Sequence, residues 1–262
     1  MNKKTKRLNQ LISLLRVQGT MPVQDIARDL NVSEMTVRRD LNELRDNNFV
    51  ERGHGKATFL KGEAPPVYEN IENIYSLSLA SSTMNQEKRR IARYAATLVE
   101  RGDIIILDNG STTDKMPDYL PENLDLTVVC YNLNILARLP RRDKDKILFA
   151  GGYFHPSDQM FESAEGIQFL RNIRAHKLFL SASGVHQSLG MTCAHNFEVT
   201  VKKTVLSSAM KKILVADSSK FGTVKTVFFA SMDELDMIIT DTGLSPEWIE
   251  IIKSKEIELV IV

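Results

Sequence analysis

The first 60 residues place their apolar side chains with a helical period. Residues 7–17 form one apolar stripe, which predicts a helix that ends at Gly19. A short helix is predicted over 22–29, and a third opens at an N-cap, Ser33, and runs to Asn47. The inward positions are Leu8, Leu11, Ile12, Leu15, Ile26, Ala27, Leu30, Val37, Leu41 and Leu44. Residues 49–60 indicate two short strands around a glycine turn, so residues 1–60 are predicted to form a winged helix-turn-helix.

A different pattern begins after residue 60. Residues 61–85 contain Pro65, Pro66 and several Ser, Thr and Asn residues, which predicts a linker. Residues 86–262 then predict a helix over 86–100 followed by alternating apolar strands and helices. The predicted strands are 103–108, 126–130, 146–150, 177–182, 212–217, 236–241 and 257–262. This alternation indicates an α/β domain with a parallel sheet that is covered on both faces.

Composition excludes several classes of protein. No apolar run approaches the roughly 20 residues that span a bilayer. The N-terminal MNKKTKRLNQ has no apolar stretch behind its basic residues, so we expect neither a signal peptide nor a membrane partner. The two cysteines, Cys130 and Cys193, are far apart, which suits a reducing compartment. We therefore expect a cytoplasmic protein.

The charge divides unevenly between the two predicted domains. Residues 1–62 carry 12 Lys or Arg against 7 Asp or Glu, whereas the remainder carries 22 against 26. A small basic part joined to a mildly acidic one is typical of a DNA-binding domain with a separate sensing domain. In a helix-turn-helix, the second helix enters the major groove and its first residues reach the bases. The candidate DNA contacts on this helix and on the wing are Ser33, Thr36, Arg38, Arg39, Asn42, His54 and Lys56.

The sequence resembles a known family at these residues. The stretch VQDIARDLNVSEMTVRRDL and the wing residues ERGHGKA resemble the N-terminal domain of the DeoR family of bacterial repressors. EKRRIARYAATLVERGDIIILDNGSTT and DSSKFG at 217–222 resemble the family's second domain, so the resemblance covers nearly the whole chain. Lys56 departs from the family pattern, which usually has a second glycine there. The resemblance implies a repressor whose second domain has a phosphosugar-isomerase-like fold and binds a phosphorylated sugar.

The residues also indicate a phosphate site. Strand 103–108 ends in Asp108, and residues 110–113 lead into a predicted helix, with Pro117 in its first turn. Free N–H groups at a helix N-terminus attract phosphate, although such a motif is also a common helix cap. Lys220 follows another strand, and Glu198 and Lys202 lie four apart, either near the sugar or as a surface ion pair. The candidate effector residues are Asp108, Gly110, Ser111, Thr112, Thr113, Gly152, Gly184, Glu198, Lys202 and Lys220.

Two functional classes compete for this pattern. One is a repressor of a sugar or nucleoside catabolic operon, and the stretches at 129–134, 151–155 and 181–186 resemble family members of deoxyribonucleoside operons, which implies an inducer like deoxyribose 5-phosphate. The other is a phosphosugar isomerase, which needs a carboxylate base. The stretch SASGVHQS has no Asp or Glu where such enzymes carry one, so we expect no enzyme.

Further expectations concern partners. A dual activator and repressor is also compatible with the sequence. The spacing of His155, His186 and His195 does not fit a metal site, and we expect neither metal nor cofactor. We expect double-stranded operator DNA as the partner and at least a homodimer, because one small domain rarely supplies enough contact for specific binding.

Overall fold

The computed structural model describes residues 7, 10, 11, 14, 15, 18–46, 50–53, 55–59, 77–139 and 144–262. The chain divides into two compact units, Met1–Asn73 and Ile74–Val262. We call them the N-terminal unit and the C-terminal unit.

The N-terminal unit has the predicted order of helices and strands. The described residues of helix α1 are 7, 10, 11, 14, 15 and 18. The elements that follow are β1 (Thr20–Pro22), α2 (Val23–Asp29), α3 (Glu34–Asp46), β2 (Val50–Gly53) and β3 (Lys56–Phe59). Leu11, Leu15, Ile26, Val37 and Leu41 are buried in one apolar core. Burial of the predicted inward face is what holds these short helices together, since isolated helices of this length are marginal in water.

Strand β1 was not predicted. The sequence places Pro22 at the start of the second helix, but its backbone is extended, with φ −64° and ψ 142°, and the helix begins at Val23. Residues 20–22 pair antiparallel with β3, which gives the sheet order β1-β3-β2. A strand of three residues is too short to show alternation, so the apolar pattern could not signal it.

The C-terminal unit is an α/β domain. It begins with α4 (Leu77–Ser82) and α5 (Asn85–Thr97). The remaining elements are β4 (Ile104–Leu107), a 3-10 helix (Thr113–Asp118), β5 (Thr127–Cys130), α6 (Leu133–Arg138), β6 (Lys146–Phe149), β7 (Tyr153–His155), β8 (Met160–Glu162), α7 (Ala164–Asn172), β9 (Ala175–Leu180), β10 (Gly184–His186), β11 (Gly190–Cys193), α8 (Asn196–Ser207), β12 (Ala209–Val215), a 3-10 turn (Ser218–Lys220), β13 (Val227–Ala230), a 3-10 turn (Met232–Glu234), β14 (Met237–Thr240), α9 (Pro246–Ser254) and β15 (Glu258–Ile261).

The central sheet confirms the predicted fold class. Its seven strands are all parallel, in the order β15-β14-β12-β9-β4-β5-β6, and they correspond to the seven predicted strands. Along β9, Leu178 and Leu180 face one apolar core and Phe179 faces the other. Both faces of the sheet are therefore covered, as the continuous apolar strands predicted.

Two predictions about local structure need correction. The predicted linker over 61–85 is helical in part, because α4 lies within it and Leu77 is buried; residues 60–76 lie outside the described residues. The loop at 110–113 leads into a 3-10 helix of six residues, and Pro117 lies inside it. Proline lacks the N–H that an α-helix would use and clashes with the preceding turn, so an α-helical N-terminus does not form here.

Candidate effector site and DNA-binding surface

A narrow cleft lies where the order of the central sheet reverses. From β4 the chain continues through β5 and β6 to one edge, and from β9 it continues through β12, β14 and β15 to the other. Ligands of such sheets bind beyond the carboxyl ends of the strands at this reversal. The cleft is lined by Gly110, Ser111, Thr112, Ser181, Ala182, Ser183, Val215, Ala216 and Lys220. Four predicted effector residues therefore line one cleft.

The loop after β4 packs closely on the loop after β9. A Cβ on Gly110 would lie 2.4 Å from the Cβ of Ser181, so this contact requires glycine. The Ser181 hydroxyl donates to the Asn109 carbonyl oxygen. The carbonyl oxygen of Gly110 accepts from Asp114 N–H and from the Thr113 hydroxyl, each at 2.9 Å. This turn leaves the backbone N–H groups of Ser111 and Thr112 without an acceptor among the described residues.

A buried ion pair lies next to this loop. The Lys202 Nζ donates to Asp108 Oδ2 at 2.6 Å and to the Ser181 carbonyl oxygen at 3.1 Å. Ser181 also donates to Asp108 Oδ2 from its N–H at 2.8 Å, and its hydroxyl oxygen lies 2.9 Å from the same carboxylate oxygen. The Tyr131 hydroxyl donates to the other carboxylate oxygen of Asp108. Asp108 and Lys202 are almost completely buried, so their mutual pairing and these hydrogen bonds offset much of the cost of removing two charges from water.

Glu198 belongs to the same cluster. Its Oε2 lies 4.0 Å from Lys202 Nζ, and its Oε1 accepts from the His195 N–H at 3.1 Å. Both Glu198 and Lys202 are buried, which excludes the surface ion pair that the sequence left open. Burial raises the pKa of Glu198 to about 7, although Lys202 opposes that shift. Burial alone lowers the pKa of Lys202, but Asp108 and Glu198 outweigh it and raise that pKa above its ordinary value.

Gly152 and Gly184 do not line the cleft, although both are candidate effector residues. Gly152 has φ +147°, and a Cβ there would lie 2.4 Å from the Glu162 carbonyl oxygen. A Cβ on Gly184 would lie 2.5 Å from the Thr223 carbonyl oxygen. Close approach of two backbones accounts for glycine at both positions without a ligand.

Metal binding finds no support in the described part of the chain, where no group of three His, Cys, Asp or Glu side chains could hold an ion. His155 and His195 instead stack on the ring of Phe197, with centroid distances of 3.7 and 5.0 Å. No helix among the described residues is long and apolar enough to cross a bilayer.

The candidate DNA contacts lie on and beside α3. Ser33 caps the helix, since its hydroxyl accepts from the Thr36 N–H at 3.2 Å. Arg39 is exposed, and exposed Arg38 lies 3.2 Å from Glu34 one turn earlier. Asn42 is half-buried on the same helix, and Lys56 is exposed at the start of β3, whereas His54 lies outside the described residues. The structure thus places two exposed guanidinium groups on the second helix of the motif.

Comparison with known proteins decides the family. A family model described as the DeoR-like helix-turn-helix domain matches residues 7–63, and one described as the DeoR C terminal sensor domain matches residues 83–242. The chain belongs to the DeoR family. The deoxyribose operon repressor of Escherichia coli (strain K12) is 33% identical over 258 residues, which is 98% of each chain. The glycerol-3-phosphate regulon repressor of the same strain is 27% identical over 257 residues, again 98% of each chain.

A solved isomerase structure matches the chain only weakly. The ribose 5-phosphate isomerase A of Neisseria gonorrhoeae matches with a TM-score of 0.36 and 19% identity over 52% of this chain and 53% of that one. A score of this size carries no argument, so the fold of the DeoR C-terminal unit rests on its strand order.

Two residues of the cleft region are not among the candidate effector residues that the sequence predicted. Ser181 holds the loop of Gly110, and Tyr131 binds Asp108. Both lie at the carboxyl ends of predicted strands, which is where a parallel sheet places its ligand contacts. That position was the available signal, and it could have identified them.

The N-terminal unit, which we call the head because it carries the DeoR-like helix-turn-helix domain, gives a first prediction. Replacing Arg38 or Arg39 by alanine should weaken operator binding by about 1–3 kcal/mol where the arginine reads a base. An arginine that contacts only phosphate should lower affinity uniformly across sequences and reduce the salt slope by about one. Titrations of labelled operator at several salt concentrations measure both effects. Arg101→Ala, which removes an exposed side chain of the C-terminal unit, is the control. Unchanged operator affinity in both head variants would exclude this surface.

Proposed function

We propose that the protein represses a sugar or nucleoside catabolic operon and leaves its operator when a phosphorylated sugar binds in the cleft. The observation that carries this proposal is the loop after β4 at the reversal of the sheet. Ser111 and Thr112, whose backbone N–H groups have no acceptor among the described residues, line the cleft together with Lys220. Unpaired backbone donors and a lysine are suited to bind phosphate. No α-helix N-terminus is needed for this site.

The buried cluster beside the cleft suits the sugar end of the ligand. Ser181 and Ser183 line the cleft, and Ser181 is bonded to Asp108 and Lys202. A carboxylate and an ammonium can accept from and donate to sugar hydroxyls. We therefore assign Asp108 and Lys202 to positioning Ser181 and recognising the sugar, Glu198 to holding Lys202 in place, and Gly110 and Thr113 to shaping the loop.

The cleft must open to admit such a ligand. A water-sized sphere reaches only about 10 Å³ of it, which is close to the space of one water molecule. A ligand that binds the open form shifts the protein towards that form, which is the differential binding that induction requires. In a dimer, the opened conformation would no longer present both heads to their half-sites.

The choice of sugar rests on relatives. The E. coli proteins with 33% and 27% identity are named for the deoxyribose operon and the glycerol-3-phosphate regulon. We propose deoxyribose 5-phosphate as the inducer, with glycerol 3-phosphate as the comparison ligand. We also propose that the repressor acts in the cytoplasm as at least a dimer, since paired half-sites supply the contact that one head lacks.

An isomerase is the alternative function that the buried carboxylates suggest. Glu198 has a pKa near neutrality, which suits a proton-transferring base. However, Glu198 does not line the cleft, and its oxygens are occupied by the His195 N–H and by Lys202. The geometry therefore favours a sensor, and an assay of the pure protein with ribose 5-phosphate should give no isomerisation above background.

Two variants test the cleft. Thr112→Val removes, at nearly constant volume, a hydroxyl of the cleft lining that can donate to phosphate, and Lys220→Ala removes the cation. Both should bind operator normally but lose the 5–150-fold weakening that a coupled inducer produces, a range of about 1–3 kcal/mol. They should also lose the thermal stabilisation that deoxyribose 5-phosphate gives the wild type by mass action. Lys253→Ala, an exposed lysine in a helical ion pair, is the matched control. A wild-type dose response in Thr112→Val and Lys220→Ala would place the ligand elsewhere.

A further inference from the structure

Lys88 on α5 is a buried lysine with no role in the proposed ligand contacts. Its side chain is 1% exposed. The ammonium donates to the carbonyl oxygens of Ala80 at 2.6 Å and Thr83 at 2.8 Å, and it lies 3.4 Å from Asp217 Oδ2. A buried cation is costly unless it is paired and hydrogen-bonded, so these three contacts explain why the charge is tolerated.

The two carbonyl groups belong to the carboxyl-terminal end of α4 and the turn after it. The last carbonyl groups of a helix have no partner within the helix, and a lysine there can satisfy them. The other end of α4 is also fixed, because the Leu77 N–H donates to the Ser157 carbonyl oxygen at 2.9 Å. Along the chain, only residues 60–76 separate α4 from β3 of the N-terminal unit.

Asp217 connects Lys88 to the cleft. It follows β12, and its Oδ1 accepts from the Ser219 N–H at 3.2 Å, while its backbone carbonyl accepts from the Lys220 N–H at 3.1 Å. Its Oδ2 has no hydrogen bond in the described part of the chain and lies 3.4 Å from the Lys88 Nζ. The turn that carries Lys220 into the cleft is therefore built on the residue that pairs with Lys88.

We propose that Lys88 is a positioning residue through which an anion bound beside Lys220 tightens helix α4. This inference rests on the proposed anion site in the cleft. An anion there offsets the positive charge of Lys220 and allows the Lys88 ammonium to hold the α4 carbonyl groups more firmly. Because α4 precedes the sensor sheet and follows the segment from the head, it is placed to respond to occupancy of the cleft.

The charges around Lys88 support this direction. Burial lowers the pKa of Lys88 to about 8; Asp217 opposes the shift, and Lys220 and Lys115 add to it. A negative ligand opposes Lys220 and Lys115, so binding near pH 8 should draw a proton onto Lys88. The protonated form has three N–H donors for the two carbonyl groups and Asp217.

Hydrogen exchange of the full chain tests the proposal, with inorganic phosphate as the probe. At pH 8, saturating phosphate should slow exchange in the peptide that spans 77–84 by about 5-fold, the lower end of the usual range of coupling between sites. Lys88→Met should abolish this protection. Arg93→Met, an exposed position on the same helix, should behave as the wild type. Equal protection in Lys88→Met, or no protection in the wild type, would overturn the proposal.

Lys88→Arg is a second variant, which tests the proposal even if Lys88→Met fails to fold. Arginine keeps its charge at every accessible pH. In Lys88→Arg without phosphate, the hydrogen-exchange protection of residues 77–84 should therefore be constant from pH 7 to 9, whereas the wild type should lose protection over that range. Identical pH profiles would overturn the proposal. Operator release by deoxyribose 5-phosphate with no change at 77–84 would sink the role of Lys88 and leave the proposed function intact. If phosphate slowed exchange at 77–84 only when Lys88 is present, but no sugar phosphate released the operator, the role of Lys88 would stand and the proposed function would fail.

Discussion

Replacing Lys202 by methionine should lower the free energy of unfolding of the C-terminal unit by about 3–5 kcal/mol, the usual cost of breaking a buried ion pair by removing one partner. Methionine fills most of the same space but leaves Asp108 charged and buried with Ser181 and Tyr131 as its remaining partners. Glu198 loses the cation that lowers its pKa against the effect of burial. Asp108 would then stay buried without Lys202 as its counter-charge, and Glu198, whose pKa is already about 7, would take up a proton, so the expected loss comes mainly from Asp108.

Urea denaturation measures this loss directly. The one tryptophan, Trp248, packs against Phe221 with a centroid distance of 5.3 Å, so its fluorescence reports the C-terminal unit. The control is Lys211→Met, which removes an ion pair to Glu258 whose two side chains are 40% and 57% exposed. Exposed pairs contribute about 0–1 kcal/mol. If Lys202→Met cost no more than Lys211→Met, the buried cluster would not be paired as described.

Glu198→Gln should remove a pH dependence of stability. The ordinary pKa of 4.5 applies to the unfolded chain, and burial raises the folded pKa to about 7. Below pH 4.5 both states hold the proton. Between pH 4.5 and 7 the folded state keeps a proton that the unfolded state has lost, so stability falls as pH rises through this window and levels off above it. The total is up to about 3 kcal/mol, at 1.36 kcal/mol for each pKa unit.

Glutamine isolates this effect from other titrating groups. It cannot ionise, yet its side-chain oxygen can still accept from the His195 N–H as Glu198 does. The measurement is the difference in unfolding free energy between wild type and Glu198→Gln, from urea titrations between pH 5 and 8. We expect the wild type to lose stability relative to the variant across this range. Parallel curves would show that Glu198 ionises as freely as in water.

The central sheet could be predicted from sequence because each of its strands contains a run of at least three apolar residues. Ile104–Leu107 and Thr127–Cys130 lie within the predicted strands 103–108 and 126–130. Strands β7, β8, β10 and β11 have three or four residues and mixed polarity, and no periodic pattern identifies elements that short. The sequence also could not give the order of strands, which decides that the loops after β4 and β9 meet.

Burial of charged side chains was the least predictable part of the site. Lys88 stands in the run EKRR, which looks like an exposed helical face, and Lys202 and Glu198 have the spacing of an ordinary surface pair. Their burial follows from contacts with residues up to 129 positions away, such as Asp108 and Asp217. The GSTT loop was recognised because its glycine and hydroxyl residues follow a strong strand, but Pro117 changed the helix that was expected after it.

Operator release by deoxyribose 5-phosphate tests the central claim most directly. An operator duplex selected with this protein from a random library, carrying a fluorescent label, would be titrated with the full chain at fixed salt. The account predicts that saturating deoxyribose 5-phosphate weakens binding by about 5–150-fold, whereas deoxyribose without its phosphate has no effect. Equal release by deoxyribose, or unchanged operator affinity with deoxyribose 5-phosphate and every other sugar phosphate tried, would contradict it.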